Sequence, residues 1–149
     1  MLKIVEIDQS NKQEIEEFLK LPKASLLQSF NWAKFQENLA RKTWSFKILN
    51  ENNILASALF TKYDLPLGKS YLFCSRGPVV GKLNNDLKAE VLKLIIKKIK
   101  EIAEQENSIF FRLDPEWSSE EDEELLNKLK FKKSKKEVNP KNTLILDIS

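Results

Sequence analysis

The stretch SYLFCSRGPVV, residues 70–80, decides the fold of this chain. Residues 71–73 (YLF) form a compact apolar run that is typical of a buried strand. Gly77 and Pro78 then end the strand, and Arg76 stands just before the glycine. Two interpretations stay open. The stretch is either a strand that ends in a tight turn with a solvated arginine, or a strand end where a fixed cation and a bare backbone receive an anionic ligand.

Two alternating segments precede this strand and extend the pattern. Residues 44–49 and 54–63 alternate between apolar and polar side chains, and the turn-forming residues 50–53 (NENN) separate them. This arrangement predicts an antiparallel hairpin. Pro66 and Gly68 lie in the loop that leads to the central stretch. We therefore predict a meander of three strands from Trp44 to about Ser75.

The segment before the meander predicts a helix that starts at Ser29 or Asn31 and ends near Ala40. Three large apolar side chains recur along it at helical spacing: Trp32, Phe35 and Leu39. A stripe of this kind usually faces a core, so we predict that it is buried.

The remaining pattern adds further strands and helices on both sides of the meander. We predict a strand over 2–7, helices over 13–20 and 86–105, a strand over 108–113, a short helix capped by Ser118 or Ser119, and a strand over 143–148. The fold class is then α+β, with a mixed, mostly antiparallel sheet and helices on both faces. By analogy, the long helix after a meander suggests a sheet of the GNAT acyltransferase type.

Composition excludes several classes of protein. No apolar run reaches about 18 residues, so the sequence predicts no transmembrane segment. Cys74 is the single cysteine and histidine is absent, which leaves no internal disulfide and no usual zinc site. The lone cysteine favours a cytoplasmic location. Free solution and the inner face of the membrane stay open as alternatives within it. The net charge of +3 is too small to indicate nucleic-acid binding by itself.

Two groups of lysines remain to be interpreted. The face of the long helix that carries Lys88, Lys93, Lys97 and Lys100 is expected to be solvated. The basic run over 128–136 predicts either a solvated strand edge or an anion-binding segment. Nucleic-acid binding through this run is one of three functional hypotheses.

A working GNAT acetyltransferase holds the coenzyme A pyrophosphate on a glycine-rich loop at a helix N-terminus. The three glycines of this chain are Gly68, Gly77 and Gly81, and none lies in such a loop before the long helix. The sequence therefore predicts a GNAT-like sheet without an acetyl-CoA loop and without a bound cofactor.

Four blocks of sequence, in order, resemble the N-terminal half of the Fem family (FemA, FemB and FemX). The blocks are residues 27–34 (LQSFNWAK), residues 76–79 (RGPV), residues 111–115 (FRLDP), and residues 139–147 (NPKNTLILD). The resemblance implies a tRNA-dependent aminoacyltransferase that builds the interpeptide bridge of peptidoglycan. Its partners are then a peptidoglycan precursor, UDP-MurNAc-pentapeptide or lipid II, and aminoacyl-tRNA as the co-substrate.

The resemblance also implies which residues bind the precursor. The lysine after the tryptophan of the first block contacts the precursor's phosphates in the family, and it corresponds to Lys34. Arg76 and Gly77 follow as pocket residues, with Gln28 beside them. Trp32 either lines the pocket or packs beneath it, and we favour the core.

The chain departs from the family pattern at three points. Residues 73–75 (FCS) replace the tyrosine and proline that usually precede R-G-P, and Asn139 replaces a glutamine. The chain also ends where a second domain is expected to begin, so we predict one domain over 1–149 and reception of tRNA by the missing domain. Arg112 and Asp114 are expected to be a structural pair or to contact ligand. The second hypothesis is a non-catalytic GNAT-like binding or scaffold domain.

Overall fold

The computed structural model describes residues 1–117 and 119–140 of the chain. Its α-helices are α1 (Lys12–Phe18), α2 (Phe30–Asn38), α3 (Asn85–Gln105) and α4 (Glu120–Lys128). Its strands are β1 (Leu2–Glu6), β2 (Thr43–Asn50), β3 (Asn53–Leu65), β4 (Lys69–Cys74), β5 (Val79–Val80) and β6 (Ser108–Leu113). The strand predicted over 143–148 lies outside the described residues.

The strands form one mixed sheet with the order β1-β2-β3-β4-β6. The pairs β1–β2, β2–β3 and β3–β4 are antiparallel, and β4 pairs with β6 in parallel. The long helix α3 makes the connection that a parallel pair requires. The predicted meander and the α+β class with a mixed, mostly antiparallel sheet are therefore confirmed.

The two short strands β4 and β5 are successive partners of the same strand, β3. Phe73 of β4 lies opposite Thr61, and Val79 of β5 lies opposite Ser57. Residues 75–78 interrupt the pairing between them. The R-G-P segment is thus an interruption within one edge of the β3 ladder, and the backbone groups of β3 at this point need other partners.

Helices cover both faces of the sheet. On one face, α3 buries Ile95 and Ile99 in a core cluster that also contains Phe46, Phe60 and Leu72. Asn84 caps this helix, because its side-chain oxygen accepts a hydrogen bond of 2.9 Å from the amide of Leu87.

The other face of the sheet carries α1 and α2. Ile15 of α1 and Phe30 and Ala33 of α2 are buried outside the α3 cluster. The side chain of Thr43 in β2 donates a hydrogen bond of 2.8 Å to Glu37 of α2, which fixes the face that this helix covers.

The prediction that the stripe of Trp32, Phe35 and Leu39 is core is wrong. Phe35 and Leu39 are 48% and 49% exposed, and Trp32 is half-buried. The buried positions of α2 are instead Phe30, Ala33 and Gln36. A polar residue, Gln36, occupies the buried face because it accepts a hydrogen bond from Arg41, so a pattern of apolar residues alone selected the wrong side of the helix.

The basic run also differs from the prediction. Residues 131–140 contain no strand, and Lys128 ends α4, so this part of the chain is not a strand edge. Lys88 is not solvated, since its ammonium pairs with Asp122 of α4 and lies 4.0 Å from the centre of the Trp117 ring. Ser119, one of the two predicted caps, accepts a hydrogen bond from the amide of Asp122.

Glu106, at the end of α3, is the acceptor in a small ion-pair network. Lys42 and Lys62 each donate to its carboxylate at 2.9 Å. The hydrogen bond from Lys42, followed by that from Lys62, lowers the pKa of the Glu106 carboxyl below its usual value of 4.5. A carboxyl group whose pKa is lower in the folded state than in the unfolded state stabilises the fold at pH values above its unfolded-state pKa. This stabilisation is lost as the pH falls through the folded-state pKa.

We expect Glu106→Gln to lower the free energy of unfolding at pH 7 by about 1 kcal/mol, because two charge-assisted hydrogen bonds weaken. The difference from the parent chain should shrink steadily as the pH falls below about 4.5. Urea denaturation across this pH range measures it. Glu104→Gln, at an exposed position of the same helix, is the matched control. A difference that is independent of pH would contradict the ion-pair explanation.

Candidate functional site

The R-G-P turn lies where β4 ends. Arg76 adopts a positive φ of 52°, and the Gly77–Pro78 peptide bond is cis. The amide of Asp114, which follows β6, donates to the carbonyl oxygens of Cys74 at 3.2 Å and Gly77 at 3.1 Å. The turn is therefore fastened to the end of the neighbouring parallel strand.

Gln28 fills the interruption in the β3 ladder. Its side-chain oxygen accepts a hydrogen bond of 2.8 Å from the amide of Leu59, and its side-chain nitrogen donates to the carbonyl oxygens of Ser75 at 2.7 Å and Leu59 at 3.4 Å. The side-chain amide thus takes the place of a strand backbone between β3 and the turn. Gln28 is 0% exposed, so it holds the turn from beneath.

Gly77 is the residue against which the Gln28 side chain packs. A Cβ atom built on Gly77 would lie 2.4 Å from Cδ of Gln28, closer than real Cβ atoms approach. Only glycine therefore fits at this position while Gln28 keeps its place.

Asn139 and Pro140 close the turn from the other side. The side-chain amide of Asn139 donates to Oγ of Ser75 at 2.9 Å and also to Oδ2 of Asp114. The guanidinium of Arg76 donates to the carbonyl oxygen of Pro140 at 2.5 Å and lies 3.6 Å from the carboxylate of Glu116. With its side chain only 18% exposed, Arg76 is held in a fixed position.

We name this arrangement the turn cluster: Gln28, residues 75–78, Asp114 and residues 139–140. Each of the four sequence blocks that carry the family resemblance contributes to it. In the sequence, Gln28 and Asn139 belong to separate blocks. Because their bonds join residues far apart in the chain, only the folded structure brings the blocks together.

Arg112 and Asp114 do not form the predicted pair within the described part of the chain. Arg112 donates to the carbonyl oxygen of Lys136 and lies 5.7 Å from the centre of the Phe73 ring. Asp114 accepts the hydrogen bond from Asn139 instead. Both residues fasten the segment after α4 to the sheet, which is a structural role.

Lys34 lies on the exposed side of α2 and lines a cavity of about 430 Å³ beside β2. Its ammonium group pairs with the carboxylate of Glu37 at 2.8 Å and lies 5.4 Å from the centre of the Phe30 ring. The hydrogen bond from Lys34 lowers the pKa of the Glu37 carboxyl, so this carboxylate is ionised at neutral pH. Among the described residues, Arg76 is not part of this cavity.

The structure thus groups the predicted site residues into two places. Arg76, Gly77 and Gln28 meet in the turn cluster, whereas Lys34 and Trp32 lie on α2. Trp32 packs against Phe35, with ring centres 5.0 Å apart. Contact of any of these residues with a substrate stays a prediction.

Cys74 lies next to the turn and is fully buried. Burial raises the pKa of its thiol far above neutrality, so it is not a nucleophile in this fold. In residues 1–117 and 119–140, no group of three or more potential metal ligands converges. Nor does any helix of these residues have the length and apolar character needed to cross a membrane.

The sheet order, the long crossover helix and the turn at the end of β4 define the class: a GNAT-like acyltransferase fold. Two solved acetyltransferases share it over nearly their whole length. A Trypanosoma brucei acetyltransferase is 19% identical, with a TM-score of 0.67, over 95% of this chain and 100% of that one. Aminoglycoside N-acetyltransferase AAC(6')-Iy is 14% identical, with a TM-score of 0.63, over 95% and 100%.

The chain belongs to the FemAB family, whose model matches residues 11–144. The solved structure of FemX is similar to it, with 23% identity and a TM-score of 0.72 over 85% of this chain. The chain spans only 31% of the length of FemX. No curated protein matches the sequence.

Proposed function

We propose that this chain is the precursor-binding part of a tRNA-dependent aminoacyltransferase that adds an amino acid to the stem peptide of a peptidoglycan precursor. The precursor is UDP-MurNAc-pentapeptide or lipid II, and both carry a diphosphate. Lys34 supplies a cation to that diphosphate, and Arg76, in the separate turn cluster, supplies a cation to another part of the same precursor. FemAB membership and the similarity to FemX support the proposal.

The observation that carries the proposal is the convergence of the four family blocks on the turn cluster. Gln28 and Asn139 fasten Ser75 from two sides, and Ser75 is the residue before Arg76. A guanidinium whose position is set in advance loses little conformational freedom when it binds an anion. The cluster therefore serves to present Arg76, and Gln28 and Gly77 are positioning residues.

Each of the two cations is balanced by one carboxylate in the structure, Lys34 by Glu37 and Arg76 by Glu116. A diphosphate offers more oxygen acceptors than a carboxylate, and guanidinium groups bind phosphate oxygens with two parallel hydrogen bonds. Binding of the precursor would then exchange these surface ion pairs, which are individually weak, for stronger contacts.

In the reaction, an amine of the stem peptide attacks the carbonyl carbon of the aminoacyl ester. The C–N bond forms, the ester C–O bond breaks, and the tRNA leaves as its hydroxyl with the proton from the amine. Histidine is absent and the single cysteine is buried, so a covalent intermediate on this chain is not expected. The contribution of the chain is to bind and orient the precursor.

We expect Lys34→Ala and Arg76→Ala each to weaken the binding of UDP-MurNAc-pentapeptide by about tenfold or more, because each removes a hydrogen bond to a charged group. Isothermal titration calorimetry of the parent chain and both variants measures this effect. Lys20→Ala is the matched control, since Lys20 also pairs with a glutamate three residues away in the chain. Equal affinities for all four proteins would contradict the proposed contacts.

The second candidate function is a GNAT-like binding module without catalysis. The missing histidine and the inaccessible thiol favour it. The two functions differ in one assay, the transfer of radiolabelled amino acid from aminoacyl-tRNA to the bound precursor. Transfer by this chain would exclude the binding module, whereas saturable precursor binding without transfer would favour it.

A further inference from the structure

The helix α2, together with its C-cap Leu39, turns three large apolar side chains away from the sheet. We name them the α2 stripe: Trp32, Phe35 and Leu39. Phe35 and Leu39 are half-exposed, and the rings of Trp32 and Phe35 lie 5.0 Å apart. Positions three and four residues apart share one face of a helix, so the α2 stripe is a continuous apolar surface. Surfaces of this kind mark contacts with a partner or a lipid.

The opposite side of α2 fixes the orientation of the α2 stripe. Gln36, on the buried side, accepts a hydrogen bond of 2.8 Å from Arg41, and Thr43 of β2 donates one of 2.8 Å to Glu37. Rotation of the helix to bury the stripe would break both hydrogen bonds and expose the residues that are now buried. The α2 stripe is therefore kept on the outside of the part of the chain that the structure describes.

The charges around the α2 stripe are nearly balanced. The exposed positions beside the stripe on the helix surface, Asn31 and Asn38, are neutral. The acidic residue of α2, Glu37, pairs with Lys34 at 2.8 Å. Residues 12–41 contain lysine or arginine at five positions and glutamate at four. Charge attraction therefore contributes little at this surface, and a partner has to be bound mainly by apolar contact.

These properties fit a lipid surface better than a nucleic acid. Tryptophan and other aromatic rings lie at the headgroup level of a bilayer, and a helix in this plane buries its apolar side chains just below the headgroups. Glu16 and Glu17, on the exposed side of α1, stay in water, so the contact is confined to α2. A polyanion, in contrast, needs an excess of cations that residues 12–41 do not have.

We propose that the α2 stripe docks on the surface of a lipid bilayer, and that the precursor bound beside it is lipid II. The inference rests on the proposed function, because Lys34, which supplies a cation to the diphosphate, lies on the same helix. In lipid II the diphosphate joins the sugar directly to the lipid chain, so it lies at the membrane surface. A protein surface that reaches this diphosphate must itself lie against the headgroups, as the α2 stripe would. UDP-MurNAc-pentapeptide carries the same diphosphate and peptide and is the soluble counterpart.

Sedimentation with phosphatidylcholine vesicles, with and without lipid II, tests the proposal. The lipid is neutral so that lysines elsewhere in the chain do not attract it. We expect the parent chain to bind plain vesicles and to bind lipid II vesicles more tightly. Phe35→Gln and Leu39→Gln should each weaken binding to plain vesicles by about fivefold or more, because each removes a large apolar side chain from the lipid contact. Leu67→Gln is the matched control, since Leu67 is a leucine that is 96% exposed in another turn. Thermal melts of each variant exclude unfolding as the cause.

The inference is wrong if the folded parent chain does not sediment with the vesicles, or if Leu67→Gln loses as much binding as Phe35→Gln. It is also wrong if lipid II adds no affinity to a chain that binds the soluble precursor. Self-association of the parent chain that Phe35→Gln removes would instead assign the α2 stripe to a second copy. A loss of affinity for soluble UDP-MurNAc-pentapeptide in Phe35→Gln would assign the stripe to the precursor pocket. The proposed function is tested separately by Lys34→Ala in solution, so the failure of one proposal is distinguishable from the failure of the other.

Discussion

We expect Gln28→Ala to lower the free energy of unfolding by about 3 kcal/mol. The substitution removes the side-chain partner of the buried amide of Leu59 and of the part-buried carbonyl oxygen of Ser75. Each unsatisfied buried group of this kind has a cost of about 1–3 kcal/mol. The turn cluster should also loosen, because the hydrogen bonds of this side chain to the backbone of Leu59 fill the interruption between β4 and β5.

Urea denaturation of the parent chain and the variant measures this effect. Gln36→Ala is the matched control, because Gln36 is also buried but its side chain accepts a hydrogen bond from the side chain of Arg41, which can reach water. We expect that variant to lose only about 1 kcal/mol. Equal losses for the two glutamines would contradict the role assigned to Gln28.

The second large effect is expected for Gly77→Ala, which should lower the free energy of unfolding by roughly 2–3 kcal/mol. The new methyl group would overlap Cδ of Gln28, so the side chain or the turn has to move. Gly81→Ala is the control. A Cβ atom at Gly81 meets its nearest neighbour, the carbonyl oxygen of Leu55, at 3.4 Å, and the expected loss is small.

A double-mutant cycle separates this steric explanation from general weakening of the turn. In the Gln28→Ala background, the overlapping side chain is gone, and Gly77→Ala should lose far less stability than in the parent chain. The loss for the pair should therefore fall short of the sum of the single losses by about 1–2 kcal/mol. Additive losses would mean that the two residues act independently.

Much of the fold could be predicted from the sequence because its signals are local. The alternation in residues 44–49 and 54–63 gives the hairpin, and Asn84 marks the start of the long helix. These features depend on neighbouring residues, which is why periodicity and capping residues identify them.

The predictions that failed depend on distant partners. Helical periodicity predicts that Trp32, Phe35 and Leu39 form the buried face of α2. In the structure Gln36 is buried instead, because Arg41 bonds to it and in turn contacts Tyr63. Likewise, nothing local indicates that the Gln28 side chain substitutes for a strand backbone at Leu59. The family blocks contain most members of the turn cluster. The contacts between these members join residues far apart in the chain, so only the structure shows them.

The most direct test of the central claim is NMR chemical-shift mapping of the isotope-labelled chain during titration with UDP-MurNAc-pentapeptide. The account predicts saturable shifts at the amides of residues 75–77, at Asp114 and Asn139, and at Lys34 on α2. Arg76→Ala should remove the shifts in the turn cluster while the rest of the spectrum stays folded. Saturable shifts elsewhere, or no shifts in a folded chain, would contradict a precursor site formed by Lys34 and the turn cluster.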